Sequence, residues 1–487
     1  MIDISSTYTW GQFIPAFSLV GLAAVILMAD AFLPKLPKRL YGVLAAIGTF
    51  IVAFSLSKTE TGFGVGFGSL AAIATCLSIL LAMDYTKVCR DSLSGTDSED
   101  GTAEFYALPL VACAGILCLT QARDLIMLFV SLEIITLTSY VLAGYFRRNQ
   151  GSIEAGIKYL VIGAMSTGML VFGAAWYFGM SGSFVLSATT TAAALNSGAA
   201  IGAGFLMAIA LLFTGAFFKV GAVPMQVWVP DVYQGAPTPV SNFLATASKT
   251  AGFVLMGILM LPISAIISNG SELSCTLLCA FAVVIAATLL VGNLGAIVQT
   301  NAKRLLGYSS IGQAGFILAF YLVLSDGPVT LAGINANVVL YLLAYTLATT
   351  TAFFAIAMVR TQRGSEELSA FRGLGKTNPR TAFLITVAFA SLAGVPLTYG
   401  FMVKFYAFTS VIYVLGGNPW LVWLLPIMLI CAAAGFYYYF KVIREMYWVK
   451  PADTDKPLCV PAITAIVMTV CTIAILVLGT MPLLFAA

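Results

Sequence analysis

The stretch LLFTGAFFKVGAVPMQVWVPDVYQGAP, residues 211–237, begins inside an apolar run and then places Lys219 within a predicted membrane span. A charge at the centre of a bilayer costs roughly 2.5 to 3.5 kcal/mol on insertion scales, so such residues usually face a protein interior or a water-filled cavity. Gly221 and Pro224 follow closely and break the helix, which a membrane tolerates only at a protein-lined or wet place. The stretch therefore predicts a functional lysine beside a broken membrane helix.

Apolar runs recur on both sides of this stretch. The chain has 487 residues, of which 60% are hydrophobic and 9% are charged, a balance that a soluble domain with a polar surface does not reach. Each run approaches or exceeds the roughly 20 residues that cross a bilayer as a helix. We predict an all-α polytopic membrane protein with about 14 transmembrane helices. The predicted spans are 12–33, 40–57, 64–84, 105–121, 124–145, 154–180, 201–222, 239–262, 273–299, 304–325, 328–359, 380–413, 418–440 and 458–485.

The basic residues predict the orientation of these spans, because Lys and Arg accumulate on the cytoplasmic side of a membrane. With the N-terminus outside, the outward loops receive only Lys58 and Arg123. The inward loops receive Lys35, Lys38, Arg39, Lys87, Arg90, Arg147, Arg148, Lys303, Arg304, Arg360, Arg363, Arg372, Lys376, Arg380, Lys441, Arg444, Lys450 and Lys456. This partition predicts that both termini lie outside. It also explains the slight excess of basic residues without a nucleic-acid-binding surface.

Four basic residues fall inside predicted spans and need another explanation. They are Lys158, Lys219, Lys249 and Lys404, and the clearest intramembrane acid is Glu133. Lys158 and Lys249 are candidates for snorkelling to the cytoplasmic face, and Lys219 with Glu133 for a structural ion pair. Burial disfavours the charged form of an amine, whereas a nearby carboxylate favours it, so a lysine beside a mobile acid can bind and release a proton. The functional interpretation is a relay of lysines.

A second break precedes Lys404, in SLAGVPLTYG with Gly394 and Pro396. The two breaks fall in the seventh and twelfth spans, and an odd offset makes these spans run in opposite directions. Broken helices at corresponding places in inverted halves indicate a transport site. We therefore predict inverted five-helix repeats, spans 4–8 and 9–13, within a single membrane domain. Its segments are a three-helix segment at 1–104, a first half at 105–262, a second half at 273–440 and a C-terminal helix at 441–487.

The sequence offers no ligand set for a metal or a redox centre. It contains no histidine, and its nine cysteines form no CxxC pair. Haem held by histidine, Rieske clusters and zinc sites of the common types are thus excluded, and we expect no metal site. Any redox chemistry linked to this chain is expected to take place in other subunits.

Four stretches resemble the N-type subunit of proton-pumping NADH:quinone oxidoreductase, the respiratory complex I. They are PMQVWVPDVYQGAPTPVSNFLATASK, SLEIITLTSYVLAGYFRRNQGSIEAGIKY, QTNAKRLLGYSSIGQAGF and SLAGVPLTYGFMVKFYAF. The resemblance implies that Glu133 and Lys219 are the family's paired acid and lysine and that Lys249 is the central relay lysine. It likewise implies that Lys404 is the lysine of the second broken helix and that Lys158 is a further basic position.

The resemblance also implies how the chain would act in the cell. Members of this family carry no cofactor in this subunit, and NADH, FMN, the iron–sulfur clusters and quinone bind elsewhere in the complex. The expected partners are the M-type antiporter-like subunit, the small K-type and J-type subunits, lipid and protons, with no nucleic acid. The expected location is the bacterial cytoplasmic (inner) membrane. The chain would then be a non-redox subunit of a translocase.

Two positions depart from the family pattern. Relatives often carry histidines where this chain has Met225-Gln226 and Gln313. None of these side chains titrates, so we expect polar groups and water to connect the lysines instead. The candidate groups are Gln226, Thr246, Ser248, Ser309, Gln313 and Tyr345.

Three functions stay open at this point. The chain is a proton-translocating subunit of complex I, a subunit of a multi-subunit cation/proton antiporter or an independent transporter, or a purely structural membrane-arm subunit. Interior lysines outnumber interior carboxylates, which structural pairing alone does not explain. Only the four motif stretches separate the first function from the second.

Overall fold

The computed structural model describes residues 10–33, 36–59, 63–85, 88, 102–186, 199–267, 272–326, 330–451 and 457–481. These residues form α-helices and short 3₁₀ helices, and the described ranges contain no β-strand apart from two isolated bridges. The predicted loop residues Lys35, Lys87, Arg90 and Lys456 lie outside the described part, as does the side chain of Lys58.

The helices follow the predicted spans closely. They are α1 (Ile14–Phe32), α2 (Lys38–Thr59), α3 (Phe63–Asp84), α4 (Thr102–Thr120), α5 (Leu125–Ala143), α6 (Gln150–Ser181), α7 (Ala199–Val220), α8 (Trp228–Gly235), α9 (Thr238–Ala245), α10 (Ala247–Ile267), α11 (Glu272–Ile297), α12 (Ala302–Leu318), α13 (Leu331–Arg363), α14 (Leu374–Thr377), α15 (Pro379–Ala393), α16 (Tyr399–Val414), α17 (Leu424–Tyr447) and α18 (Ala462–Thr480). Within the described ranges, four 3₁₀ helices lie at Trp10–Phe13, Ala319–Asp326, Leu368–Phe371 and Pro419–Trp423.

Twelve helices in the described ranges are long and apolar enough to cross a membrane. Three shorter apolar helices, Gly204–Val220, Pro379–Ala393 and Tyr399–Val414, occupy the seventh and twelfth predicted spans. The all-helical, multi-pass fold class is therefore confirmed. The count of fourteen crossings, the inverted repeat and the division into segments stay predictions.

Both predicted breaks occur where glycine permits a left-handed backbone. Helix α7 ends at Val220, and Gly221 follows with φ +75°. Helix α15 ends at Ala393, and Gly394 follows with φ +87°. Residues with a side chain rarely adopt such φ values, which explains why glycine occupies both positions. An additional break, which the spans did not predict, separates α9 from α10 at Thr246.

The helices pack around a buried centre formed by α10, α12 and α13. Helix α13 contacts helices of both predicted halves, among them α9, α10, α15 and α16. The outer helices expose large apolar side chains, for example Phe17, Phe50 and Val161. Such an apolar exterior is what a lipid-facing surface requires. Inside this apolar exterior, polar side chains such as those of Lys249 and Lys404 are buried.

Candidate functional site

Lys219 is enclosed near the end of α7, where its side chain is held by one weak contact. The residue is 5% exposed, and its ammonium donates to the Thr136 hydroxyl on α5 at 3.3 Å. Thr136 in turn donates to the Leu132 carbonyl of its own helix at 2.5 Å. Among the described residues, the neutral Thr136 hydroxyl is therefore the only group that accepts a hydrogen bond from this ammonium.

Glu133 lies on the same helix as Thr136 and acts on Lys219 electrostatically without touching it. Its carboxylate accepts a hydrogen bond from the Thr167 hydroxyl of α6 at 3.0 Å. The carboxylate attracts the charged form of Lys219, yet the two groups lie beyond ion-pair distance in the described structure. The direct ion pair that the sequence offered as one alternative is thus absent from this conformation.

The backbone of Lys219 packs against the helix that carries Lys249. A Cβ added at Gly252 of α10 would lie 3.0 Å from the Lys219 carbonyl carbon and 2.9 Å from the Val220 side chain. Gly252 is one helical turn from Lys249, so the two lysine-bearing helices approach closely at this level. The fold therefore brings the first two lysines of the predicted relay onto neighbouring, tightly packed helices.

Lys249 lies at the centre of the protein and binds the middle of α12. It is 2% exposed, and its ammonium donates to both the carbonyl and the hydroxyl of Ser310, the hydroxyl at 2.6 Å. The ammonium also lies 5.3 Å from the centre of the Tyr345 ring. The Tyr233 hydroxyl is 3.3 Å from that of Ser310. Hydroxyl groups can both give and accept a proton, so Lys249 is surrounded by groups suited to proton transfer.

Lys404 caps the broken end of α15. It is 7% exposed, and its ammonium donates to the carbonyls of Leu392 at 2.7 Å and Ala393 at 3.1 Å. A helix end leaves its last carbonyls without intrahelical partners, and a cation there is favoured by the helix dipole. The Phe316 ring covers the ammonium at 5.4 Å. The helix break therefore creates the binding place of this lysine.

Polar groups connect the surroundings of Lys249 and Lys404. The Gln313 side chain donates to the Leu392 carbonyl at 3.1 Å and to the Tyr439 hydroxyl at 3.3 Å, and the Ser309 and Tyr439 hydroxyls are hydrogen-bonded to each other. Ser309 neighbours Ser310, the partner of Lys249. Gln313 and Lys404 thus share one carbonyl.

A small cavity completes this connection. It measures about 10 Å³ and is bordered by Gln313, Tyr341, Tyr345, Ser391 and Lys404, among others. A cavity of this volume is at the lower limit for one water molecule. Tyr345 therefore lies beside Lys249 through its ring and borders the cavity that reaches Lys404. Apolar side chains also line this cavity, so the space between the two lysines is bordered by both polar and apolar groups.

Lys158 lies apart from the other three lysines. Its side chain is 41% exposed and pairs with Glu154 at 2.6 Å and Asp231 at 2.8 Å. Arg304 also pairs with Asp231 at 2.6 Å. Burial opposes ionisation of Asp231, but the hydrogen bonds from Lys158 and Arg304 hold its pKa below its usual range. These groups border a polar cavity of about 370 Å³ between α6, α8, α12 and α13. The snorkelling alternative fits this position better than membership of the buried lysine row.

Three of the expected polar supports do not connect the lysines. Thr246 donates to the Asn242 carbonyl of its own helix at 2.7 Å. Ser248 is buried next to Lys249 in the sequence, and its side chain interacts with the Tyr159 hydroxyl. Gln226 lies in the break after α7, and its side-chain oxygen is buried without a hydrogen-bond partner in the described structure. Gln313 and Ser309 instead take part in the hydrogen bonds around Tyr439, and Tyr345 lies beside Lys249. Ser310 and Tyr439 also belong to this region, and sequence patterns did not single them out.

No group of three or more metal-ligating side chains lies together within the described ranges. The lysines Lys219, Lys249 and Lys404 have no carboxylate within ion-pair distance in the part that the structure describes. The arrangement therefore contains buried amines and hydroxyls, which can exchange protons, and carbonyls, which accept hydrogen bonds from them.

Comparison with known proteins identifies the family of the chain. A family model described as NADH:quinone oxidoreductase/Mrp antiporter, TM, matches residues 122–433. NADH-quinone oxidoreductase subunit N of Brevibacillus brevis is 34% identical over 484 residues, covering 94% of this chain and 90% of the relative. F(420)H(2) dehydrogenase subunit N of Methanosarcina mazei is 34% identical over 488 residues, covering 96% of this chain and 95% of the relative.

A solved structure agrees with the sequence relatives. A chain in respiratory complex I from Thermus thermophilus with bound aureothin superposes with a TM-score of 0.76 and 27% sequence identity. The match covers 96% of this chain and 97% of that chain. The similarity in fold therefore extends over almost the whole chain.

Proposed function

Because the chain belongs to the NADH:quinone oxidoreductase/Mrp antiporter family of membrane proteins, we propose that it is the N-type, proton-translocating membrane-arm subunit of an NADH:quinone oxidoreductase. Three buried lysines without a directly paired carboxylate carry this proposal. A purely structural role would favour neutralised or apolar residues, since buried charges are costly. Relatives that match almost the whole chain are subunits of redox dehydrogenases, which favours this function over an independent cation/proton antiporter.

Protons move between the lysines in three steps. Approach of Glu133 favours the charged form of Lys219, and its withdrawal favours release of the proton. Lys249, on the adjoining helix, accepts the proton and passes it through the hydroxyl groups near Ser310 and Tyr345. Lys404 receives it next to Gln313. The carbonyls that bind Lys404 accept hydrogen bonds from an ammonium or a neutral amine, so the lysine keeps its place in both states.

The driving force comes from outside this chain. A potential of 100 mV opposes each transferred charge by about 2.3 kcal/mol. We assign NADH, FMN, the iron–sulfur clusters and quinone to the other subunits of the complex, so this chain is a non-redox part of the translocase. The neighbouring partners in this proposal are the M-type, K-type and J-type membrane subunits. The location is the bacterial cytoplasmic membrane, with both termini outside.

The electron donor of the complex depends on the redox subunits with which this chain assembles. One relative at 34% identity is named for NADH and another for F(420)H(2). We propose NADH. Membranes that contain this subunit are expected to oxidise NADH with proton uptake into inverted vesicles, and oxidation of reduced F420 alone would reassign the donor.

Replacement of Lys219 tests the proton route. Inverted vesicles carrying Lys219→Met, in which the complex has been shown to assemble, are followed for NADH oxidation and acidification together. Methionine fills the space without a titratable group, so we expect coupled activity to fall roughly a hundredfold. Lys158→Met is the matched control and should keep most of the activity, because Lys158 lies outside the buried row.

Unchanged oxidation and acidification in assembled Lys219→Met would reduce this lysine to a structural role. Acidification that depends on an imposed sodium gradient and not on NADH would favour the cation/proton antiporter instead. The two measurements therefore separate all three functions that the sequence left open.

A further inference from the structure

Lys303 is a buried lysine that the proton route does not use. The basic-residue pattern places it in an inward loop, yet it is 2% exposed as the second residue of α12. Its ammonium donates to the Ala236 carbonyl at 2.7 Å and to the Glu366 carboxylate at 3.2 Å. A cation at the start of a helix is disfavoured by the helix dipole. The other contacts of this lysine must therefore compensate for its position.

The two partners of Lys303 belong to different parts of the fold. Ala236 forms the turn between α8 and α9, in the predicted first half. Glu366 lies in the segment after α13, and its backbone carbonyl accepts a hydrogen bond from the Ala302 amide at 2.9 Å. Glu366 also lies 4.0 Å from Arg360. Lys303 thus joins the turn after the first helix break to the beginning of α12.

The face of α12 that begins with Lys303 continues to the central lysine. Residues 303, 307 and 310 share one side of the helix by their spacing. A Cβ on Gly307 would lie 3.1 Å from Pro230 Cα, so α12 packs directly on the backbone of α8. Ser310, roughly 10 Å further along α12 at 1.5 Å per residue, binds Lys249. A displacement of α12 along α8 would therefore change the distance from Ser310 to Lys249.

We propose that Lys303 is a positioning residue, whose bonds to Ala236 and Glu366 fix α12 against α8 and thereby hold Ser310 at Lys249. This inference rests on the proposed function, since it assigns a consequence for proton transfer at Lys249. Lys303 itself carries no proton along the route. Its charge serves to hold a turn of one half and a loop of the other half at one point.

Substitution of Lys303 in the complete complex tests the proposal. In Lys303→Met we expect an assembled complex, because Arg304 still binds Asp231 and Gln234. Coupled NADH oxidation and acidification should fall roughly tenfold or more, as displaced groups lower the rate of a transfer step. Lys441→Met is the matched control, since Lys441 donates to the Gln299 carbonyl at 3.0 Å near the same helix start without reaching α8. It should keep its activity.

Two further variants separate positioning from other roles. Lys303→Arg keeps the charge and the donors but does not release a proton, so it should retain most of the coupled activity. Loss in Lys303→Arg as deep as in Lys303→Met would overturn the proposal. The double variant Lys303→Met, Glu366→Gln also removes the carboxylate that has lost Lys303 and keeps only its 4.0 Å contact with Arg360, and it should restore part of the stability of the complex while coupled activity stays low. Recovery of both would leave Lys303 with a purely structural role.

Hydrogen–deuterium exchange of the purified complex gives a readout that does not depend on pumping. Lys303→Met should raise exchange at the α8–α9 turn and at the first turns of α12, whereas Lys441→Met should not. Unchanged exchange in Lys303→Met would overturn the proposal. Raised exchange, together with normal coupling in Lys219→Met, would instead show that the contact is real and that the proposed proton route has failed.

Discussion

The two helix breaks hold their lysines in opposite ways. At the first break, the ammonium of Lys219 donates to the Thr136 hydroxyl at 3.3 Å. The Glu133 carboxylate acts on it electrostatically from beyond contact distance. At the second break, the ammonium of Lys404 binds two backbone carbonyls at 2.7 and 3.1 Å, and no carboxylate of the described residues pairs with it. The same residue type therefore occurs in a loosely held and a firmly held environment.

This difference arises from the groups that donate hydrogen bonds to the last backbone carbonyls of each broken helix. The Phe218 carbonyl near the end of α7 accepts from the Trp228 indole at 3.0 Å, and the Phe217 carbonyl accepts from the Ala222 amide at 2.8 Å. The end of α7 therefore does not need Lys219. The end of α15 instead uses Lys404 as its cap. A lysine that is not needed as a cap is free to respond to an acid, whereas a capping lysine keeps its position while its protonation changes.

The largest effect is expected from a variant at the second break that keeps the positive charge of Lys404 but cannot release a proton. Lys404→Arg keeps a cation and donors for the Leu392 and Ala393 carbonyls, but a guanidinium is not deprotonated in proteins. We expect the complex to assemble with normal stability and the coupled activity to fall about a hundredfold. The measurement is NADH oxidation and acidification in inverted vesicles, with the amount of assembled complex determined by native electrophoresis.

Methionine in place of Lys404 or of Lys219 further tests the difference between the two breaks. Lys404→Met should lower the stability of the subunit by about 1 to 3 kcal/mol, because the Ala393 carbonyl loses its partner and the Leu392 carbonyl keeps only Gln313. Lys219→Met should leave stability unchanged or raised, since it removes a buried amine with one weak bond. Equal thermal stability of the two variants would contradict the difference between the breaks, and full activity of Lys404→Arg would remove Lys404 from the proton route.

A second, smaller effect concerns the acid near the first break. Glu133→Gln keeps an oxygen that can accept from Thr167 but removes the negative charge that acts on Lys219. We expect coupled activity to fall roughly tenfold, because the charged form of Lys219 loses its stabilising partner. Proton uptake per NADH oxidised is the measurement. The control is Glu154→Gln, whose side chain is 65% exposed and which should show little change.

Sequence patterns locate the buried lysines well and their partners poorly. Lys219, Lys249 and Lys404 stand out because each interrupts a long apolar run, and Gly394 and Pro396 mark the second break directly. Hydroxyl groups such as that of Tyr439 give no such contrast, since they are common in membrane helices.

Sequence patterns also fail to predict the burial and the partners of charged residues at helix ends. Lys303 looked like a loop residue, because hydropathy does not show that a turn from the other half of the protein covers it. Lys158 is explained by Asp231, a partner 73 residues further along the chain that only the tertiary fold brings near. Local pattern therefore predicts burial within a long span, whereas contacts between helices decide burial at its ends.

The smallest expected effect comes from the glycines at the two breaks, which form a matched pair. Gly221 and Gly394 both have positive φ, +75° and +87°, so an alanine at either place should cost about 1 to 2 kcal/mol of stability. A Cβ at Gly221 would meet the Val229 side chain at 2.9 Å, whereas one at Gly394 would lie 3.0 Å from Lys404 Cδ and 3.6 Å from its nitrogen. Gly394→Ala should therefore also lower coupled activity severalfold, by displacing an amine that must stay at its carbonyls. Gly221→Ala should lower thermal stability alone. A similar loss of coupled activity in both variants would mean that the first break also positions its lysine through the backbone, and the contrast between a mobile and a fixed lysine would fail.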